Sequence, residues 1–480
     1  MLHRTAAAQL RIQLDLQFSR FPQTSNRLSL ASRDTSNVGK MLPRGLIFNL
    51  LELCCIIHFA ISDRYLRGVE NANIFNTTTT ATKDSKLTHI FKESIPLFSS
   101  RTDLIKQVAI RSDHVHEVVF VVKQKRMDYI TRLLHDVSDP ASPNYGHHMT
   151  CEQINTITSN HEARDTIADF LSANGVLTIS ETLSGDLITA NAPISVWEKV
   201  FDTRFFAFTQ RQLNGDLEEI VRAETYSIPR ELDIHVESVL NTVELPVRTS
   251  RRLYRTHSTI GDRNRDKMRA LTTAPTGFLR PQDIRAYYNL TNVYGSAEST
   301  QSAVSFGPNY FSQSSLAYFQ KHISLQPLQP ALNVGGFESD DPSLDSTEGD
   351  LDIQYLMGIS PRSPTTFWHS SAGWLPWLTS VLNTPNPPLV HSISYGSDEQ
   401  YTSLAMMNVM TTFAQKLGLM GITLVTASGD DGVHSPDARR TLSKCSYQPS
   451  FPGTNPYITA IGATAVRYTQ TLDSQIASLP

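Results

Sequence analysis

The sequence predicts two folded units of different class. An α+β unit with an antiparallel sheet occupies residues 96–246. An α/β unit with a parallel sheet covered on both faces occupies 277–480. Three observations carry this reading. Between 117 and 209, strand-like and helix-like stretches interleave without a regular βα repeat, as in α+β units. Between 302 and 462, four short apolar runs are separated by helical stretches, the pattern of parallel strands buried on both faces. Between the two units, residues 247–276 are basic and poor in apolar side chains.

Composition bounds the function. The 480 residues carry a net charge of −4, with 40% hydrophobic and 18% charged residues. Such a chain buries a sizeable core and is not of the disordered type. A near-neutral balance gives no overall attraction to nucleic acid. Four cysteines exclude a disulfide scaffold and a multi-cysteine zinc module.

The elements follow in order. Residues 1–61 read as a leader. Its first forty residues hold six basic side chains (Arg4, Arg11, Arg20, Arg27, Arg33, Lys40) and two acidic ones (Asp15, Asp34), a pattern shared with transit peptides. Met41 and Arg44 then precede a mostly apolar run over 46–61, the layout of a secretory signal whose start is Met41. A membrane anchor is the alternative. It is disfavoured because the run is short and Asn49 and Glu52 inside it are costly in lipid, so no stable span is expected. The sequons at Asn76 and Asn289 fit glycosylation on a secretory route. Residues 62–95 read as an unstructured spacer.

In the first unit, residues 117–123 form a strand and 127–137 a helix. A loop dense in Pro, Gly, Asp and Asn fills 138–150. Helices are expected over 151–157 and 162–174, strands over 176–180 and 187–190, a helix over 194–201 and a strand over 205–209. The connector 247–276 carries eight basic residues and two acids. It should be solvated and easily cleaved. Only Tyr254 interleaves with its charges, which disfavours nucleic-acid binding.

In the second unit, strands are expected over 302–307, 388–396, 422–427 and 457–462, with helices over 314–322, 347–360 and 402–417. Open parallel sheets bind ligands at the carboxyl ends of their strands, which directs attention to the residues after Gly396 and Ala427. On the helix 347–360, Glu348 and Asp352 are four residues apart and share a stripe with Leu351, Tyr355 and Ile359. That stripe is expected to face the core, where carboxylates need partners. The plainer reading makes Glu348 part of a capping-box-like start with Asp345. A calcium loop is a third reading, since 338–352 holds seven acids and no base, but the alternating spacing and central glycine of such loops are missing. Asp430, in Ser428-Gly-Asp-Asp-Gly432, directly follows a strand. It is either a turn residue or a site residue.

Specific strings join these features. The segment 137–154, Val-Ser-Asp-Pro-Ala-Ser-Pro-Asn-Tyr-Gly-His-His-Met-Thr-Cys-Glu-Gln-Ile, resembles the propeptide of the sedolisins, the serine-carboxyl peptidases. Residues 165–176 and 197–208 continue the likeness. Residues 279–291, with Tyr-Asn-Leu-Thr, are similar to the start of the catalytic domain in the tripeptidyl-peptidase I branch. Glu348-x-x-x-Asp352-x-x-Tyr355, Ser428-Gly-Asp430 and residues 447–464 resemble further family motifs.

The resemblance implies a subtilisin-like doubly wound parallel sheet, incomplete here, preceded by a ferredoxin-like, pro-kumamolisin-type activation domain over 96–246. It makes 247–276 the maturation linker. It implies Glu348 as general base, Asp352 as its orienter and Asp430 as oxyanion donor, with Asp431 departing from the commoner serine. A carboxylate base suits an acidic lumen, where histidine is protonated. The expected substrates are peptides and proteins, and the expected setting is a lysosome- or vacuole-like lumen or the exterior. The family nucleophile lies in Gly-Thr-Ser-Ala-Ser, which does not occur in this chain. The nucleophile serine and the family's calcium loop are expected to be absent, Cys445 has no cysteine partner in its unit, and the chain alone is expected to be inactive. The alternative is a non-catalytic homologue acting as inhibitor or folding partner of an intact sedolisin. A histidine-based relative is disfavoured because no histidine lies on the Glu348 stripe.

Overall fold

The computed structural model describes residues 88–96, 101, 104–211, 217–245, 279–290, 292–371, 373–434, 447–466 and 475–477. The leader, Asn76, the basic connector and Cys445 lie outside the described residues. Ser85–Pro480 form one compact unit, in which two lobes are built on separate sheets.

The first lobe begins with β1 (His89–Ser94), β2 (Leu104–Ala109) and β3 (Val115–Val122). Helices α1 (Met127–Ser138), α2 (Cys151–Thr158) and α3 (His161–Ala173) follow. Then come β4 (Thr178–Glu181), β5 (Leu187–Pro193), α4 (Ile194–Phe201), β6 (Phe205–Arg211), β7 (Leu217–Ala223), β8 (Thr225–Pro229) and β9 (Val236–Leu240). The sheet β4-β5-β3-β9 is antiparallel throughout. Thr150 starts α2 with a reciprocal capping box to Gln153, which ends the Pro/Gly-rich loop before it. The spacer reading fails at its end: residues 89–94 form β1, which pairs with β8. Its alternation is irregular because a bulge falls between Phe91 and Glu93.

Strand β3 explains how the lobes join. Val118, Phe120 and Val122 pack into the first lobe's own core, with Trp197, Phe201 and Tyr226. Val119 and Val121 point the other way, into a core dominated by the second lobe. Alternate side chains on a strand face opposite sides of a sheet, so one apolar run serves two cores.

The second lobe starts with α5 (Pro281–Tyr287), β10 (Gln301–Phe306) and α6 (Gln313–Phe319), the last followed by a wider π turn over Gln320–Ser324. Next come β11 (Leu332–Val334), α7 (Thr347–Ile359), β12 (Thr365–Ser370), α8 (Trp374–Asn383) and β13 (Val390–Ile393). The order continues with β14 (Ser397–Asp398), α9 (Leu404–Leu419), β15 (Thr423–Ala427), β16 (Ser450–Phe451) and β17 (Thr459–Ile461). Six strands form a parallel sheet in the order β11-β12-β10-β13-β15-β17. Sequence patterning anticipated four of these and missed β11 and β12. On one face Ala303 and Phe367 pack with Ile353 and Met357 of α7. On the other, Val304 and Trp368 pack with Trp377 of α8 and Met410 and Phe413 of α9. The sheet is thus covered on both sides at its centre.

Candidate active site

The carboxylate pair sits on α7, whose direction is fixed by its first turn. Asp345 accepts the Thr347 amide at 3.0 Å. Asp350 accepts the Ser312 amide at 2.8 Å and the Ser346 hydroxyl at 3.1 Å. The N-cap falls at Ser346, which makes no side-chain cap. Gly349 lies against the Tyr310 carbonyl, where a Cβ would overlap it. The buried stripe of α7 is Gly349, Ile353 and Met357. This corrects the expected orientation: Glu348, Asp352, Tyr355 and Ile359 run along a half-buried flank, and Leu351 is exposed. The difference is one residue of helical phase, because Gly349, rather than a large apolar side chain, marks the closest approach to the core.

That flank borders a groove of about 330 Å³ lined by Asp352, Tyr355, Leu356, Ser360, Gln301 and Ser392, among others. Just beyond β13, the Ser394 hydroxyl donates to Asp352 Oδ1 at 2.8 Å. The next residue, Tyr395, turns its ring edge-on to Phe306. Its hydroxyl pairs with Ser305 Oγ at 3.2 Å and accepts from Asn309 Nδ2 at 2.5 Å. Burial raises the Tyr395 phenol above its ordinary value, and the negative charges of Glu348 and Asp352 add to that shift. The phenol therefore lies in the field of both carboxylates. The Tyr355 hydroxyl donates to the Leu279 carbonyl at 2.7 Å, tying α7 to the chain before α5.

Asp430 is exposed on the loop that leaves β15. The Ser428 amide donates to Ile461 at 3.0 Å, and Gly429 takes a left-handed φ of 95°. Strands β13 and β15 are neighbours, with Ile393 opposite Thr426. Ser394 and Asp430 thus leave the same edge of the sheet, the carboxyl edge at which such sheets bind ligands. Sequence reasoning placed the second strand's end at Gly396. The strand ends at Ile393, and the turn that meets Asp352 is Ser394–Tyr395. Neither residue was singled out, and neither were Ser305 and Asn309.

A second serine–histidine arrangement is not part of this edge. Ser302 Oγ lies 2.6 Å from His391 Nδ1, and both residues are fully buried mid-sheet. His391 sits among Trp368 and Trp377. Burial lowers its pKa to about 4. No substrate reaches it there. The acidic stretch before α7 does not fit a cation. Asp340 serves the Ser312 and Ser314 hydroxyls, Asp341 serves the Ser343 amide, and no group of three or more potential ligands gathers among the described residues. Asn289 is exposed, in left-handed backbone after α5. Cys151 is a half-buried free thiol.

Comparison with known proteins bears on this geometry. The family profile "Pro-kumamolisin, activation domain" matches residues 102–245. Tripeptidyl-peptidase 1 of Dictyostelium discoideum is 28% identical over 382 residues, covering 72% of this chain and 61% of that protein. The chain is similar to the sedolisin-like family of these proteins. Physarolisin of Physarum polycephalum is 27% identical over 80% of this chain and 65% of its own length. Human tripeptidyl-peptidase 1 is 27% identical over 74% and 63% respectively. The chain thus spans between three fifths and two thirds of the length of these relatives. Among solved structures, a Pseudomonas sedolisin complex covers 41% of this chain and 56% of its own at 20% identity, with a TM-score of 0.29. That likeness is too loose to carry an argument. No helix among the described residues is long and apolar enough to cross a membrane.

Proposed function

We propose that this chain carries the activation domain and part of the catalytic machinery of an acid-acting serine-carboxyl peptidase of the tripeptidyl-peptidase type, built on a subtilisin-like sheet. The observation that carries the reading is the convergence of Glu348, Asp352 and the Ser394–Tyr395 turn at the carboxyl edge of a parallel sheet. In this reading Glu348 takes the proton of a serine hydroxyl as that oxygen attacks a peptide carbonyl. Asp352, held by Ser394, orients Glu348, and Asp430 in its protonated form donates to the developing oxyanion. The acylated serine is then hydrolysed by water, and the amine has left with the transferred proton. Peptides and proteins are the substrate class, and an acidic lumen or the cell exterior the setting, with Asn76 and Asn289 as glycan acceptors. Among the described residues no three potential ligands gather to hold a cation, and no step of this reading runs through an ion.

Gly-Thr-Ser-Ala-Ser is not in the sequence, so the chain alone is inactive in this reading. The test joins the chain to a relative's segment bearing that string and follows a tripeptide-releasing fluorogenic substrate in acid. Turnover that Glu348→Gln abolishes is the expected result. Turnover indifferent to Glu348→Gln, or turnover by the unjoined chain, overturns it. A binding role as inhibitor or folding partner is the second reading, favoured by the apolar face that Val119, Val121, Leu187 and Leu240 present to helices of the second lobe. Stoichiometric inhibition of an intact tripeptidyl-peptidase 1 by the unjoined chain would select it.

A further inference from the structure

One helix of the second lobe is gripped at both ends by carboxylates of the first. At the start of α9, the Glu93 carboxylate accepts the amides of Leu404 at 2.6 Å and Ala405 at 3.3 Å. An anion there satisfies amides that the helix itself leaves unpaired and meets the positive end of its dipole. The bulge between Phe91 and Glu93 is the kind of irregularity that re-aims a side chain. In the last turns of α9, Lys416 Nζ donates to Asp186 Oδ2 at 3.0 Å, with the two side chains 1% and 5% exposed. Asp186 also accepts the hydroxyls of Thr182 at 2.5 Å and of Ser184. Beside the second anchor, Gln415 Nε2 donates to Thr131 Oγ1 at 2.8 Å, and Met149 donates its amide to the Leu419 carbonyl at the end of α9 at 2.9 Å.

We propose that Glu93 and Asp186 form a two-ended carboxylate clamp on α9 that keeps the first lobe seated in mildly acidic solution. The inference stands apart from the peptidase reading, since it concerns how the lobes are held and is tested without turnover.

The charged groups around each anchor give the sign. Asp186 faces Lys416, with Cys151 close by. Burial pushes the Asp186 carboxyl up, but Lys416 and the Ser184 and Thr182 hydroxyls outweigh it and hold the pKa below the ordinary value. A depressed carboxylate contributes its stabilisation above the unfolded value and loses it only as pH falls through the folded one. The Asp186 end therefore holds until strongly acid conditions. Glu93 has Glu244 and Tyr226 as its titratable neighbours. Burial raises its pKa, partly offset by the Leu404 and Ala405 amides. Protonation then favours the seated form, in which the pKa is raised, so acid does not expel this end either.

Hydrogen exchange of the full chain, corrected for intrinsic rates, tests the clamp at about pH 7 and about pH 4.5. The protection of α9 relative to β10 should agree within about threefold between the two conditions. A relative loss of about tenfold or more at the lower pH overturns the proposal. Asp186→Asn strands a buried ammonium and should lower the relative protection of α9 about tenfold or more at both pH values. Asp186→Leu with Lys416→Met should restore it. Unchanged α9 protection in Asp186→Asn also overturns the proposal. If that variant does not fold, the wild-type comparison still decides.

Discussion

The two lobes build their cores on different terms. The first lobe's main core, around Phe120, Trp197, Phe201 and Tyr226, draws only on residues before 246. The second lobe's largest core draws Val119, Val121, Leu187 and Leu240 from the first. One lobe is closed by its own chain, and the other is completed by its neighbour. The difference shows that a continuous apolar strand can be a docking element as well as a core element. Strand β3 is buried along Val118–Val122 because helices of both lobes cover its sheet.

The strongest way to break this comparison is to separate the lobes. Residues 88–245 alone should unfold cooperatively with native near-ultraviolet dichroism, while residues 279–480 alone should not. The isolated second lobe lacks the Val119, Val121, Leu187 and Leu240 side chains that complete its core, so the apolar surface they cover is left in water in a fold whose whole stability is small. A cooperative, native-like transition in the isolated second lobe would refute the asymmetry. Next in size, Trp197→Ala should cost about 3–5 kcal/mol in the first lobe, whether isolated or in the full chain, because its indole is fully buried and donates to the His116 carbonyl at 2.8 Å. Val121→Asp sharpens the contrast in denaturant titrations. It should spare the isolated first lobe, where that face meets water, and lower the transition of the second lobe in the full chain.

The smallest effect is a difference in acid sensitivity. Burial depresses His391 from 6.5 to about 4, so its contribution is intact above pH 6.5 and lost as pH falls toward 4. The loss reaches about 3 kcal/mol. In the first lobe His116 is depressed likewise, chiefly by burial, but Glu244 is raised to about 7 by burial. The Glu244 contribution runs the other way, declining as pH rises from 4.5 to 7. The two terms offset each other, so denaturant melts at neutral and acid pH should show the second lobe losing more. Equal losses in both lobes would contradict this assignment.

Much of the fold was legible because its elements repeat cleanly. The apolar run of β3, the α4 segment around Trp197 and Phe201, and the α9 pattern at Val409 and Phe413 all announce their periods. Strand β12 was hidden because Thr365, Thr366 and His369 are polar yet buried. Strand β1 was hidden because its bulge breaks the alternation. At the candidate site, the spacing of Glu348 and Asp352 put both on one flank of α7, but the face that flank meets depends on Tyr310, far away in sequence. Ser394 reaches Asp352 across 42 residues, a contact set by strand order in the sheet and by no local pattern.

The self-contained core also sets an order of events during synthesis. Chains emerge amino end first at roughly 5–20 residues per second, so the first lobe can be complete about 9–35 seconds before α9 has been made. During that interval Val119, Val121, Leu187 and Leu240 form an open apolar face with no helix upon it. The arrival of α9 closes a surface that has already taken shape.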